Sequence, residues 1–467
     1  MTDPVIAFLE TEHQEIVKRL LELVRIPSVS TDPAYASSMA QARDVLARRL
    51  RETGIQGVHE IDADGHPAVY GEWLGATNGP TILLYGHYDV QPPDPLDKWK
   101  SPPFTPEIRD DRIYGRGVSD DKGPLSIALE TLAAFLAIEG TLPVNIKILL
   151  EGEEELGSPT LAALCQKHTD LLRCDAVLSA DGASWRHDLP TVNVGTRGNA
   201  GFAFSVETAS KDLHSGRFGG AVPNALHVMA SVVAGLHDAD GSVAVPGFYE
   251  GVRTLGMGDR TSLAAIPFDE SGFYSGIGSS PVGEPGYSTL ERLWLRPCLD
   301  VNGMWGGYTG PGGKTVIPNE AHAKITIRVV PWQDPEQVCQ YVKDFLRNRC
   351  PAEAMICFGP DRGRSAAYEL PVDHPLLHAA AWALQRTYET VPHRVRIGGT
   401  LPIADIARRE LGVDTVMFSF SMADDDFHAP NEFFRLSSLD NGLRAWTMLL
   451  RRLRDSADGF ALRRPGP

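Results

Sequence analysis

Four carboxylates stand within five residues in the run Glu151-Gly152-Glu153-Glu154-Glu155, directly after the apolar run Val144 to Leu150. A strand that delivers so much negative charge to its own end repels itself unless a cation sits there. Two further segments share the pattern: Thr81 to Gly86 runs into His87-Tyr88-Asp89, and Ala176 to Ala180 runs into Asp181. Three hydrophobic strands that each end in a hard or borderline metal ligand predict one metal site above a sheet. Ligands of open α/β sheets bind beyond the carboxyl ends of the strands. A glycine-rich bend, Tyr114 to Pro124, presents Asp120 and Asp121 just before a helix N-terminus. A fifth piece, Asp425 to Glu432, carries His428 and follows the apolar segment Val416 to Ser419.

The elements that must position these residues are legible in the pattern. Leu9, His13, Ile16, Leu20 and Leu23 recur at helical spacing, and Pro27 ends that helix. From about 55 to 196 strands alternate with helices. Pro124 opens a helix that Gly140 stops, and Ser158-Pro159 opens another. This alternation predicts an α/β domain, a mainly parallel sheet with helices on both faces. Residues 197–364 read differently. A strand over Gly201 to Glu207 and a helix over Pro223 to Leu236 come first, then strands over Leu293 to Val301 and Glu320 to Val330. A helix over Glu336 to Arg347 and a strand over Ala354 to Gly359 complete the series. The order βαββαβ predicts a smaller α+β, ferredoxin-like domain. Residues 246–290 are rich in Gly, Pro and Ser with little periodicity, which predicts a long loop. Alternation resumes after 365, with a helix over His374 to Tyr388. The expected organisation is a first domain segment over 1–196, an inserted domain over 197–364, and a return to the first domain over 365–467.

With 467 residues, 43% hydrophobic and 22% charged, the chain can bury a sizeable core. A formal charge of −16 disfavours nucleic acid and anionic membrane surfaces as partners. The six cysteines form no CxxC pair and read as reduced, buried thiols. No apolar run is long enough for a membrane span, and the start Met1-Thr-Asp-Pro-Val lacks a basic or apolar leader pattern. A cytoplasmic protein is expected. His13, His66, His168, His187, His227, His237, His322, His374, His378 and His393 read as ordinary surface or core histidines.

The residues also carry a family resemblance. His87-x-Asp89, Gly117-x-Ser119-Asp120-Asp121-Lys122-Gly123, Glu154-Glu155-x-Gly157-Ser158, Asp181 and the late His428 resemble the di-zinc exopeptidases of the aminoacylase and glutamate-carboxypeptidase type. Asp212-Leu-His214-Ser-Gly216 and Lys314 to Pro318 bring the resemblance closer to the carnosinase-like dipeptidase branch, and it spans nearly the whole chain in order. By position it implies that Asp120 bridges two metals, His87 and Asp181 completing one site, Glu155 and His428 the other. Three carboxylates and a hydroxide would balance two divalent ions. Imidazole and carboxylate without thiolate suit zinc, with manganese and cobalt as alternatives. Asp89, two residues along an extended segment from His87, faces the same way and would orient the imidazole.

The resemblance further implies Glu154 as general base; Glu151 and Glu153 have no assigned role and read as solvated. It makes Arg328 the clamp for a substrate carboxylate, and makes His214 an oxyanion-stabilising group reaching from a partner subunit. Thr400 lines the other substrate end, in a position where the family commonly shows Ser; Thr315 and Asn302 are weaker candidates. The implied activity is hydrolysis of an amide bond in dipeptides or similar small substrates, by a homodimer that associates through the inserted lid-like domain. Hydrolysis of N-acyl amino acids is the alternative, and a catalytically inactive metal-binding scaffold a more distant one.

Overall fold

The computed structural model describes residues 3–455, and of residues 362–364 the backbone only. Of the domain segment expected over 365–467, residues 456–467 lie outside the described residues. The chain forms two compact units. The larger comprises residues 3–194, Leu370–Val395 and residues 401–455; the smaller comprises Gly195–Glu369 and Arg396–Thr400.

The larger unit is built on a six-stranded sheet. Its spatial order is Gln56–Ile61, Ala68–Trp73, Asn145–Glu151, Thr81–His87, Ala176–Ser179 and Thr415–Met417. Only Ala68–Trp73 runs against its neighbours; the other strands are mutually parallel. Asn145–Glu151 and Thr81–His87 are buried at every residue after the first. Strands buried on both sides need cover on both faces, and helices provide it. The register aligns His87 with Glu151 and Tyr85 with Ser179, so the carboxyl ends of three adjacent strands open at one edge. The helix Gly123–Glu139, with Pro124 in its first turn and Gly140 as left-handed cap, is buried along most of its first half. It therefore presents Asp120, three residues before it, from a rigid support.

The smaller unit is a four-stranded antiparallel sheet in the order Cys298–Gly306, Glu320–Val329, Gly198–Glu207 and Met355–Ser365. With the helices Ala225–Ala234 and Pro335–Arg349 it follows the βαββαβ order. Alternation sorts its faces: Phe202, Phe204, Val206, Ile325 and Ile327 pack with Val228, Met229, Val342 and Leu346 into one core. Asn199, Thr326 and Arg328 are therefore left on the opposite face.

Several expected elements shift. The strand expected from Leu293 starts at Cys298, because Thr289–Leu295 is helical. Ser288 Oγ accepts the Glu291 N–H at 3.3 Å while the Glu291 carboxylate accepts the Ser288 N–H at 2.7 Å. That capping box was present in the sequence as Ser-x-x-Glu. Residues 246–290 are not one loop but contain the helices Met257–Ala264 and Glu270–Gly276. The helix expected at Ser158-Pro159 begins at Leu161, since Ser158 is buried in a left-handed conformation, φ 52°. The first helix is two, Pro4–Thr11 and His13–Val24. All six cysteines are free; Cys165 and Cys339 are buried, and the other four are partly exposed.

Phe204 is 3% exposed and packs with tilted rings against Phe202 and Phe358. Phe204→Ala should lower the stability of the smaller unit by about 3–5 kcal/mol, measured by urea unfolding. A loss below about 1 kcal/mol would mean that this core is not packed as described.

Candidate metal centre

The parallel register brings the strand-end residues together. His87, the last residue of its strand, is fully buried, with Nδ1 facing the Asp89 carbonyl at 3.1 Å and the Asp89 carboxylate at 3.4 Å. An N–H at Nδ1 directed there leaves Nε2 as a lone-pair donor toward the site. Nε2 lies 3.0 Å from Asp120 Oδ1 and 4.0 Å from Asp181 Oδ2. On the other side of Asp120, Oδ2 lies 2.9 Å from His428 Nε2, and His428 Nε2 lies 3.3 Å from Glu155 Oε2. Two groups that could hold a metal ion result, His87–Asp120–Asp181 and Asp120–Glu155–His428. In each, the donor atoms lie within 4.8 Å of one another, and Asp120 belongs to both.

Asp89 does more than face the imidazole. Its carboxylate accepts the N–H groups of Glu154 at 3.3 Å and Glu155 at 3.1 Å, and the Ser30 hydroxyl at 2.7 Å. One buried anion thus fixes both the His87 ring and the turn that carries Glu154 and Glu155. Gln91 Nε2 donates to Glu155 Oε2 at 2.6 Å. Gln91 and Ser30 carried no signal in the sequence; only their partners in space mark them.

The expectation that Glu151 and Glu153 are solvated is corrected: they are 4% and 6% exposed. Glu151 accepts the Tyr85 hydroxyl at 2.5 Å, and burial pushes its pKa to about 7. Glu153 accepts the His66 N–H at 3.0 Å and the Thr160 hydroxyl, so His66 is an ordinary structural residue held by its backbone. The acidic run therefore splits: Glu151 and Glu153 tie down the chain, while Glu154 and Glu155 face the ligand cluster.

The electrostatics of the cluster show what it lacks. Burial lifts Asp181 to about 7, and burial followed by the charge of Asp181 holds Glu154 well above the carboxylate range. Burial also raises Glu155. His428 is raised to about 10 by its hydrogen bonds to Asp120 and Glu155. His87 is raised despite burial, through Asp120 and Asp89, and those two imidazoles in turn hold Asp120 below its ordinary value against its own burial. Among the described residues, protonated His87 and His428 bring positive charge into this cluster of carboxyl groups. Glu155 Oε1 and Asp121 Oδ1 are buried without a hydrogen-bond donor. Imidazole nitrogens, carboxylate oxygens and an unsatisfied anionic excess fit hard or borderline divalent cations.

The remaining predicted residues lie in the smaller unit. Arg328 is half-buried and donates to Thr400 Oγ1 at 3.1 Å, and the Thr400 hydroxyl donates to the Arg197 carbonyl at 2.8 Å. Burial, then the charge of Arg197, lowers the proton affinity of Arg328. Asn302 accepts the Thr326 hydroxyl at 2.6 Å. Both line a groove of about 220 Å³ on the face away from the core, with Asn199, Gly201 and Lys324. His214 is exposed on a two-residue strand paired with Val316–Ile317, and the Thr315 carbonyl accepts the N–H of Ser215 at 3.1 Å. The smaller unit thus groups Arg328 with Thr400, and Thr315 with the His214 segment. Arg197 was missed; nothing in a lone arginine after a strand marks it.

Comparison with known proteins gives a consistent picture. The chain is 30% identical over 455 residues to human Beta-Ala-His dipeptidase, covering 92% of this chain and 89% of that protein. Among solved structures it resembles the dipeptidase Dug1p of Saccharomyces cerevisiae with TM-score 0.84 and 26% identity, covering 97% and 98% of the two chains. An M20 family metallo-carboxypeptidase, Sso-CP2 from Sulfolobus solfataricus, matches with TM-score 0.84 and 30% identity over 94% of this chain and 99% of the other. The sequence pattern of peptidase family M20/M25/M40 matches residues 83–452, a span that contains both ligand groups from His87 to His428. The chain belongs to peptidase family M20/M25/M40.

Proposed function

We propose that this protein is a metallo-dipeptidase that hydrolyses the amide bond of dipeptides or similar small substrates with a free carboxylate. The observation that carries the reading is Asp120, whose two oxygens each face a different imidazole within 3.0 Å. His87, Asp120 and Asp181 would hold one divalent cation, and Asp120, Glu155 and His428 the second, zinc being the ion the donor set suits best. Bound there, such cations supply Lewis-acid polarisation of the scissile carbonyl and bring a water to a pKa near ~7.

Glu154 is our general base. Asp89 fixes its backbone, and no hydrogen-bond donor among the described residues reaches its carboxylate oxygens, which leaves them open to a proton. It takes a proton from the attacking water and returns it to the leaving amine. In the smaller unit, Arg328 offers a guanidinium with a neutral hydrogen-bond partner, Thr400, suited to a substrate carboxylate. Thr400, Thr315 and Asn302 are assigned to substrate contact. His214, exposed, is assigned to the oxyanion of a partner subunit's substrate, which requires a homodimer. The dipeptidase and metallo-carboxypeptidase relatives support the substrate class. Among the described residues no helix is long and apolar enough to cross a membrane. Six free thiols agree with the cytoplasm, where we place the protein.

Three results test this reading. Glu154→Gln should keep the wild-type metal content by elemental analysis while kcat falls about 10²–10⁴-fold; parallel loss of metal would remove Glu154 from the role of base. Arg328→Ala should raise KM for dipeptides about 10–100-fold, the worth of a charge-assisted hydrogen bond, with little change in kcat. Wild-type turnover of C-terminally amidated dipeptides at the same KM would contradict the clamp.

Metal removal gives the third. Without cations, Asp181 (about 7) and His428 (about 10) hold protons more tightly folded than unfolded. Stability then falls as pH rises, from the ordinary carboxylate range upward through the folded values. The melting temperature of chelator-treated protein should drop between about pH 5 and pH 8, and zinc should raise and flatten the profile. A pH-independent melting temperature in the absence of metal would mean that these groups do not crowd as described.

A further inference from the structure

The acidic segment that carries His428 ends in Glu432, which has no part in the reading above. Its side chain is 1% exposed. Oε1 accepts the backbone N–H groups of Ser119 at 2.8 Å and Asp120 at 3.2 Å. Oε2 accepts the N–H of Gly117 at 2.8 Å and a guanidinium N–H of Arg116, also 1% exposed, at 2.8 Å. Three N–H groups of one bend converge on a single anion, as in the backbone nests that bind phosphate, except that the anion here is a side chain of the same protein. Gly117 makes the convergence possible: it is left-handed at φ 79°, and a Cβ there would stand 2.2 Å from Val90 Cγ1. The Gly115 N–H also donates to the Glu432 carbonyl at 3.0 Å.

The bend ends in Asp120, and Glu432 lies four residues after His428. One buried carboxylate therefore ties together the two backbone segments that present Asp120 and His428. We infer that Glu432 is a positioning residue: through the N–H groups of the Gly117–Asp120 bend it sets the spacing between Asp120 and His428 on which cation binding depends. The inference rests on the reading of Asp120 and His428 as cation ligands. Glutamine at 432 would keep the size but replace one acceptor oxygen with an NH₂ group facing N–H donors, and it would leave Arg116 buried without a counter-ion. A residue needed only for folding would cost stability alone. A group that orients ligands costs about 10–100-fold in metal affinity.

The test uses the full-length protein, stripped by chelator and titrated with zinc alone by calorimetry, with elemental analysis for stoichiometry and circular dichroism for folding. Wild type should bind two zinc ions per chain. E432Q should remain folded and bind both at least about tenfold more weakly, because both sites share Asp120. Leu449→Ala, a core cavity in a fully buried position, should lose stability and keep its zinc affinity. Wild-type zinc affinity and stoichiometry in E432Q would overturn the inference, as would an equal loss in Leu449→Ala. Should E432Q fail to fold, Arg116→Lys, which keeps the charge but not the planar fork, takes its place: weakened zinc binding supports the inference and unchanged binding overturns it. Wild-type protein that binds no zinc overturns the cation reading itself, a result distinct from two tight sites in both proteins.

Discussion

Carboxylates withdrawn from water at one edge of a parallel sheet repel one another, and the architecture of the larger unit turns on how that repulsion is contained. Asp120, Asp181, Glu154 and Glu155 converge where two unit charges 4 Å apart interact by about 4 kcal/mol even at an effective dielectric near 20. His87 and His428 bring opposing charge, taking up protons because of the same crowding. A proton per imidazole balances part of the excess. Divalent cations balance more of it and match the donor atoms, so a cation-loaded centre is the state in which this arrangement is cheapest to hold.

Crowded anions stay in place only if the backbone beneath them cannot relax. Two buried carboxylates that do not face the ligand cluster supply that rigidity. Asp89 gathers the N–H groups of Glu154 and Glu155 and backs the His87 ring. Glu432 gathers the bend before Asp120. Each is satisfied on both oxygens, the condition under which a buried polar network stiffens a structure rather than weakening it. The site is thus two nested sets of acids, one aimed at the cluster and one aimed at the backbone that carries it. The smaller unit reaches a comparable end by simpler means, since strand alternation alone puts Arg328 on the face opposite its core.

Much of this was legible from residue order. Apolar runs ending in His87, Glu155 and Asp181 announce strands that deliver ligands, since a buried strand must be apolar and its end is the first place a charge can stand. The βαββαβ order and the alternation of Glu320 to Val329 announce the smaller sheet. Elements defined by a side chain answering the backbone were read less well. The Ser288–Glu291 capping box starts a helix where a strand was expected, and left-handed Ser158 delays another. The two helices in 246–290 are short, and their caps rather than their periodicity mark them.

By itself the sequence determined that imidazole and carboxylate side chains stand at strand ends, the class of fold and the family, because these depend on local patterning and on residues that must be chemically what they are. Only the tertiary structure decided the uses of otherwise identical acids. Glu151, Glu153, Glu154 and Glu155 are neighbours of one kind in the chain, yet two are buried on hydrogen-bond donors and two face the ligand cluster. Asp89, Glu432 and Arg197 likewise gain their meaning from partners as many as 316 residues away. A carboxylate's role is set by which donors surround it and how far water is excluded, and both are properties of packing that no local pattern encodes.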